Sequence, residues 1–180
     1  MEEIRLNTNQ KILKDKAFKL YLKKEYEESL TLIEECLEIS PCAECFTIKA
    51  YIYKSLKNFT EAEKNYTLAI ESDLNDASSY HLRGNFFFRR SNFYDAIDDY
   101  SYVINNSNLE YREIVIDSVL FERALVYCCI GEFDKAMEDY KKTNINVRFM
   151  YILPIAGKVN KEILLEHIVQ RKRFELRVIK

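Results

Sequence analysis

The sequence predicts an all-α fold, an α-α superhelix (solenoid) of about four helical hairpins followed by a C-terminal capping helix. Three observations carry that expectation. Glycine and proline are scarce, three and two in 180 residues, so little in the chain breaks a helix. A pattern of aromatic, small and large residues returns four times. The stretch from Asn160 onward is amphipathic at helical spacing.

The repeat decides the architecture. KEYEESLTLIEECLEI, KNFTEAEKNYTLAIES, SNFYDAIDDYSYVINN and GEFDKAMEDYKKTNIN share one template: an aromatic, a small residue three later, and a large apolar residue four after that. The aromatics are Tyr26, Phe59, Phe93 and Phe133, the small residues Ser29, Ala62, Ala96 and Ala136, and the large ones Ile33, Tyr66, Tyr100 and Tyr140. Each set is spaced by 33, 34 and 40 residues. The same intervals recur upstream in Ala17, Ala50, Gly84 and Ala124, in Leu20, Tyr53, Phe87 and Tyr127, and in Leu13, Phe46, Tyr80 and Leu120. Large residues seven apart with a small one between them make a narrow waist between two knobs on one helix face. A second helix can cross closely at that waist.

These columns resemble the tetratricopeptide repeat, whose units are helix-turn-helix pairs of about 34 residues. The resemblance covers about Gln10 to Asn144, with units at about 10–42, 43–76, 77–110 and 111–144 and a capping segment at 145–180, all in a single domain spanning 1–180. The chain departs from the family in Ser29 where alanine is usual, in a turn glycine kept only as Gly131, and in a closing proline kept only as Pro41. First helices are expected at about 9–23, 43–56, 77–90 and 109–130, and second helices at about 26–39, 60–72, 94–105 and 134–143. Six extra residues between the third and fourth units lie near NNSNLEYREIVI and should lengthen the fourth unit's first helix at its start. NVRFMYILPIAGK carries Pro154 and Gly157, so at most a short helix fits there. Beyond it, Leu164, Ile168, Leu176 and Ile179 fall on or near one face, as a helix covering the last hairpin requires.

Charge and cysteine content narrow the function classes. A formal net charge of −2 offers no general attraction to nucleic acid or anionic membrane. Residues 158–180 hold seven Lys and Arg against three Glu, which reads first as a solvated helix face. The opening MEEIRLNTNQKILKDK lacks the apolar core of an export signal, and no apolar run of about 20 residues could cross a bilayer. A cytoplasmic protein without a membrane segment is expected. Five cysteines, Cys36, Cys42, Cys45, Cys128 and Cys129, fit free thiols in a reducing compartment. Cys42 and Cys45 form a C-x-x-C. It lacks a second ligand pair for zinc and the strand-then-helix setting of a thioredoxin-type pair, so it reads as ordinary cysteine.

Catalytic chemistry is not expected. His81 and His167 lie in no H-E-x-x-H, and three glycines make no phosphate-cradling loop. The neighbouring carboxylates Glu34 with Glu35 and Asp98 with Asp99 lie on second helices, which face outward in this architecture, and read as solvated surface. No metal or cofactor is expected.

The resemblance implies that the first helices line a concave groove that holds a protein or peptide partner. Counting turns from the packing waists gives Lys14, Phe18, Tyr21, Thr47, Tyr51, Lys54, His81, Asn85, Phe88, Arg89, Phe121 and Leu125, with Cys128, as its wall. Aromatic and arginine side chains there are the types that anchor interfaces; the alternative is that the chain's own C-terminal helix or N-terminus covers them. One subclass of the family clamps the terminal carboxylate of chaperones with lysine, asparagine and arginine. Of those positions only Lys14 is matched. The rest fall on Phe18, Ile48, Ser78 and Leu82, or, one unit later, on Thr47, Tyr51, Leu82, Ser118 and Glu122, so this is not a carboxylate-clamp chaperone binder. The expected function is a non-catalytic adaptor, scaffold or complex subunit. Two alternatives are a regulatory subunit of a partner enzyme and a nucleic-acid binder using Arg171, Lys172, Arg173, Arg177 and Lys180.

Overall fold

The computed structural model describes residues 2–107, 109–143, 150–151, 158–159, 164–166 and 168–170. Its helices are α1 (Glu2–Leu22), α2 (Tyr26–Ile39), α3 (Ala43–Ser55), α4 (Phe59–Ser72), α5 (Ala77–Arg89), α6 (Phe93–Asn106), α7 (Leu109–Cys129) and α8 (Phe133–Lys142). Two short strands follow, β1 (Met150–Tyr151) and β2 (Lys158–Val159). The chain divides into two compact units, Met1–Ser79 and Tyr80–Lys180.

The hairpins are closed by one turn used four times. Lys24, Lys57, Ser91 and Gly131 adopt left-handed backbone, with φ of 67°, 60°, 62° and 82°. At each, the next residue's N–H reaches back five residues: Glu25 to the Leu20 carbonyl at 3.0 Å, and Asn58 to Tyr53, Asn92 to Phe87 and Glu132 to Tyr127 at 2.9 Å. The left-handed residue itself donates three residues back, to Tyr21, Lys54, Phe88 and Cys128 in turn. This Schellman closure satisfies the last carbonyls of the first helix. The second helix then starts at once, and its first residue is the template aromatic Tyr26, Phe59, Phe93 or Phe133.

In the first unit α1 packs on α2, α3 on α4, and α3 also on α2 and α1. The waist residues Ala17, Ser29, Ala50 and Ala62 are fully buried. Ser29, the departure from alanine, donates its hydroxyl to the Ala17 carbonyl at 2.7 Å, so the polar atom is satisfied inside the crossing. In the second unit α7 packs on α6 and α8. Ala96, Ala124 and Ala136 are fully buried there. A Cβ on Gly84 would stand 2.9 Å from Cε1 of Tyr100 and 3.2 Å from Cβ of Asp99. That is closer than α5 and α6 allow.

Three expectations need correction or sharpening. Helix α1 starts at Glu2 rather than near residue 9, because nothing in MEEIRLNTNQ interrupts it. The extra residues do lengthen α7, to 21 residues against 13 in α3 and α5. The all-α class holds, with one short addition, a strand pair in which Met150 faces Val159 and Tyr151 faces Lys158 in antiparallel register. Antiparallel pairing gives these four residues a way to satisfy backbone groups outside a helix. Residues 164–166 and 168–170 are helical, with Leu164 and Ile168 fully buried. Leu176, Ile179, His167 and the basic residues Arg171, Lys172, Arg173, Arg177 and Lys180 lie outside the described residues. No helix among the described residues is long and apolar enough to cross a membrane.

Candidate partner-binding face

In the first unit the sequence-predicted wall forms a run of rings across α1 and α3. Phe18 stacks near Tyr21 with centroids 5.9 Å apart, and Tyr21 stacks near Tyr51 at 6.0 Å. Both pairs are inclined by 29°. Lys54 places its ammonium 4.8 Å from the Tyr51 centroid, within cation-π range. The run is anchored from behind, because Tyr21 also meets Tyr26 at 6.2 Å and Tyr51 meets buried Tyr66 edge-on at 6.2 Å. Phe18 is 39% exposed, Tyr21 and Tyr51 are half-buried, and burial pushes the Tyr51 phenol above its ordinary range. Lys14 pairs with the exposed Glu44 at the start of α3. Thr47 is half-buried on the same helix. Two first helices thus present aromatic edges and ammonium groups together, held at fixed spacing by second-helix tyrosines.

The second unit treats its predicted wall differently. Phe88 is 3% exposed, and Phe121 and Leu125 are fully buried, as Cys128 nearly is. These residues belong to the core, which corrects their place in the wall. Turn counting finds the face of a helix but not whether that face is covered, and α7 carries apolar residues on more than one side. His81 and Asn85 are engaged within the unit: His81 Nε2 lies 2.6 Å from Glu122 Oε2, and the Tyr100 hydroxyl donates to Asn85 Oδ1 at 2.8 Å. Arg89, at the end of α5, is exposed.

Buried ion pairs form a feature that reading the sequence missed. Asp99 does not face solvent: it is 4% exposed and accepts from Arg83 Nε at 2.9 Å and Nη2 at 2.8 Å. Asp139 repeats the arrangement with Arg123 at 2.7 and 2.8 Å, and Arg123 also donates to Ser101 Oγ at 2.8 Å. Glu34, Glu35 and Asp98 are exposed, as expected. Burial pushes the Asp99 carboxyl above the usual carboxylate range while the Arg83 guanidinium pulls against it. A carboxylate locked in a two-point arginine grip braces α6 against α5 and is poorly placed to exchange protons with a substrate. The signal was available in the sequence: Arg83 and Arg123, and Asp99 and Asp139, are each 40 residues apart, the interval of the repeat. Among the described residues no group of three or more His, Cys, Asp or Glu is arranged to hold a metal ion.

Residues 43–76, which contain α3 and α4, match the family model described as tetratricopeptide repeat. Among solved structures, the chain is similar to that of a Pseudomonas aeruginosa protein titled pilF, with a TM-score of 0.74 and 15% identity over 95% of this chain and 72% of that one. It is similar to the MamA protein at TM-score 0.61, with 22% identity over 76% of this chain and 72% of that one. It is also similar to PilW, titled a widely conserved type IV pilus biogenesis factor, at TM-score 0.63 and 17% identity, covering 74% of this chain and 60% of that one. At these identities the likeness is one of fold. No curated protein matches the chain by sequence.

Proposed function

We propose that this chain, built on the tetratricopeptide repeat, is a non-catalytic interaction module whose first helices take up an extended peptide or a helix of a partner protein. The observation that carries the reading is the Phe18–Tyr21–Tyr51 run with Lys54 at its end. Stacked rings already held in place lose little conformational entropy on binding, so the area they bury is gained at low cost. The neighbouring ammonium groups favour a segment that carries apolar side chains together with carboxylates. Lys14 and Thr47 are further candidates for contact on this unit. On the second unit, taken by itself, the exposed Arg89 is the candidate, while His81 and Asn85 are engaged within the unit and Phe88, Phe121 and Leu125 lie in its core. Five free thiols support a cytoplasmic location.

The test is a photo-reactive residue placed at Phe18, which should cross-link to one partner, followed by the double variant Phe18→Ala with Tyr51→Ala. Loss of that cross-linked partner at unchanged helical circular dichroism is the expected result. A partner retained at full yield by the double variant would overturn the reading.

A further inference from the structure

The turn joining α2 to α3 brings three of the five thiols together. Cys36 lies in the last turn of α2, Cys42 immediately precedes α3, and Cys45 is the third residue of α3. The sulfur atoms of Cys36 and Cys45 are 2.7 Å apart, and both residues are fully sealed from solvent. Cys42 is half-buried at the N-cap of α3, three residues before Cys45, and is the outer member of the three. The C-x-x-C thus opens a helix, with its first sulfur at the positive end and its second one turn inside. No strand precedes it, and the setting is reached from a helix instead.

We propose that this cluster is a redox-modification site, where a hydroperoxide oxidises Cys42 and the oxidation passes inward to leave a Cys36–Cys45 disulfide joining the end of α2 to the start of α3. The surroundings divide the three sulfurs by role. The neighbouring Cys45 and the Lys14 ammonium on α1 outweigh desolvation and hold the Cys42 thiol down at about 6. Burial pushes Cys36 up, while the neighbouring Cys42 and then burial push Cys45 up. The outer sulfur is therefore the thiolate that attacks, and the inner two remain protonated until oxidation reaches them. Cys128 and Cys129 are pushed up by burial, to about 12 and about 11, with no neighbour to pull them down.

The chemistry balances in three steps. The Cys42 thiolate attacks one peroxide oxygen, the O–O bond breaks, and the sulfur becomes a sulfenic acid as the other oxygen leaves, protonated, as water or alcohol. The Cys45 sulfur then attacks the Cys42 sulfur, and the sulfenic hydroxyl leaves with the Cys45 proton as water. Finally the Cys36 sulfur, already against Cys45, displaces Cys42 and passes its proton to the departing thiolate. Cys42 leaves because the sulfur of lower pKa is the better leaving group. In sum, two thiols lose two electrons and the peroxide gains them. A zinc site at these residues is disfavoured, since two thiolates on one zinc stand about 3.8 Å apart.

The test uses the full reduced chain and hydrogen peroxide as the probe. Peptide mapping under non-reducing conditions should find Cys36 linked to Cys45, with Cys128 and Cys129 still free and the linkage reversed by a thiol reductant. Cys42→Ser should slow the loss of thiols about tenfold. Cys45→Ser should leave a sulfenic acid on Cys42 that dimedone labels, and Cys36→Ser should stop at a Cys42–Cys45 linkage. Oxidation of Cys42→Ser at the parent's rate, first oxidation at Cys128 or Cys129, or absence of the linked peptide from the oxidised parent chain would each overturn the proposal. The last readout needs no variant to fold.

Discussion

At Gly84 the absence of a side chain is a packing requirement. Gly84→Ala would drive a methyl into the buried ring of Tyr100 and to 3.2 Å from the Asp99 Cβ. We expect a loss of about 2 kcal/mol, read as a lowered urea midpoint at unchanged slope. Arg83 makes a sharper case. Arg83→Met strands a carboxylate at Asp99 that is 4% exposed, and should cost about 3 kcal/mol at neutral pH. The sign of the pH effect follows from the direction of the shift. A carboxyl whose folded pKa lies above its unfolded value favours the fold while protonated and loses that contribution as pH rises through the folded pKa. Without its arginine Asp99 lies further in that direction, so the variant's deficit should shrink in mildly acidic buffer. Denaturant titrations of both proteins at two pH values check it. The waist at Gly84 was legible in the sequence, because small side chains recurring at fixed intervals need only sterics to interpret. The Asp99 pair was not read, because adjacent acids on a second helix look like surface until the partner arginine, 16 residues earlier, is seen as part of the same column.

Among the elements, the helix-to-helix turn departs from what composition suggests. Three of the four left-handed turn positions are held by Lys24, Lys57 and Ser91, side chains that disfavour this backbone. Lys57→Gly should therefore raise stability by about 1 kcal/mol, and Gly131→Ala should lower it by a similar amount. At Gly131 an added Cβ meets nothing within 4 Å, so that penalty would come from the backbone alone. Thermal melts of both variants measure the pair of effects. Apart from the start of α1, helix positions were legible to within a few residues because the recurring columns fix where each hairpin lies. The strand pair was not, since two residues per strand carry too little alternation to be seen.

For the molecule as a whole, the consequence lies in where partner contact and core stability separate. Repeat arrays gain stability mainly from neighbouring units. Phe121→Ala should open a cavity in the second unit and cost about 3 kcal/mol or more, while binding at the first unit's ring run changes by no more than about twofold. Titrating the cross-linked partner against parent and variant separates the two effects. The hairpin order was readable from column spacing, as was the gathering of Phe18, Tyr21 and Tyr51 in the first unit. The second unit's face was not, because whether Phe88, Phe121 and Leu125 meet solvent depends on what folds over them.

The fourfold Schellman closure makes the hairpins interchangeable parts. Lys57 and Ser91 have φ of 60° and 62°, and each is followed by an asparagine, Asn58 or Asn92. Excising residues 58–91 would splice Lys57 to Asn92 and keep a left-handed residue followed by an asparagine, with the two backbone bonds of the closure, at the junction. Such a chain could lose or duplicate a whole module while every remaining turn keeps its torsions, which makes repeat number the dimension along which it can be lengthened or shortened most freely.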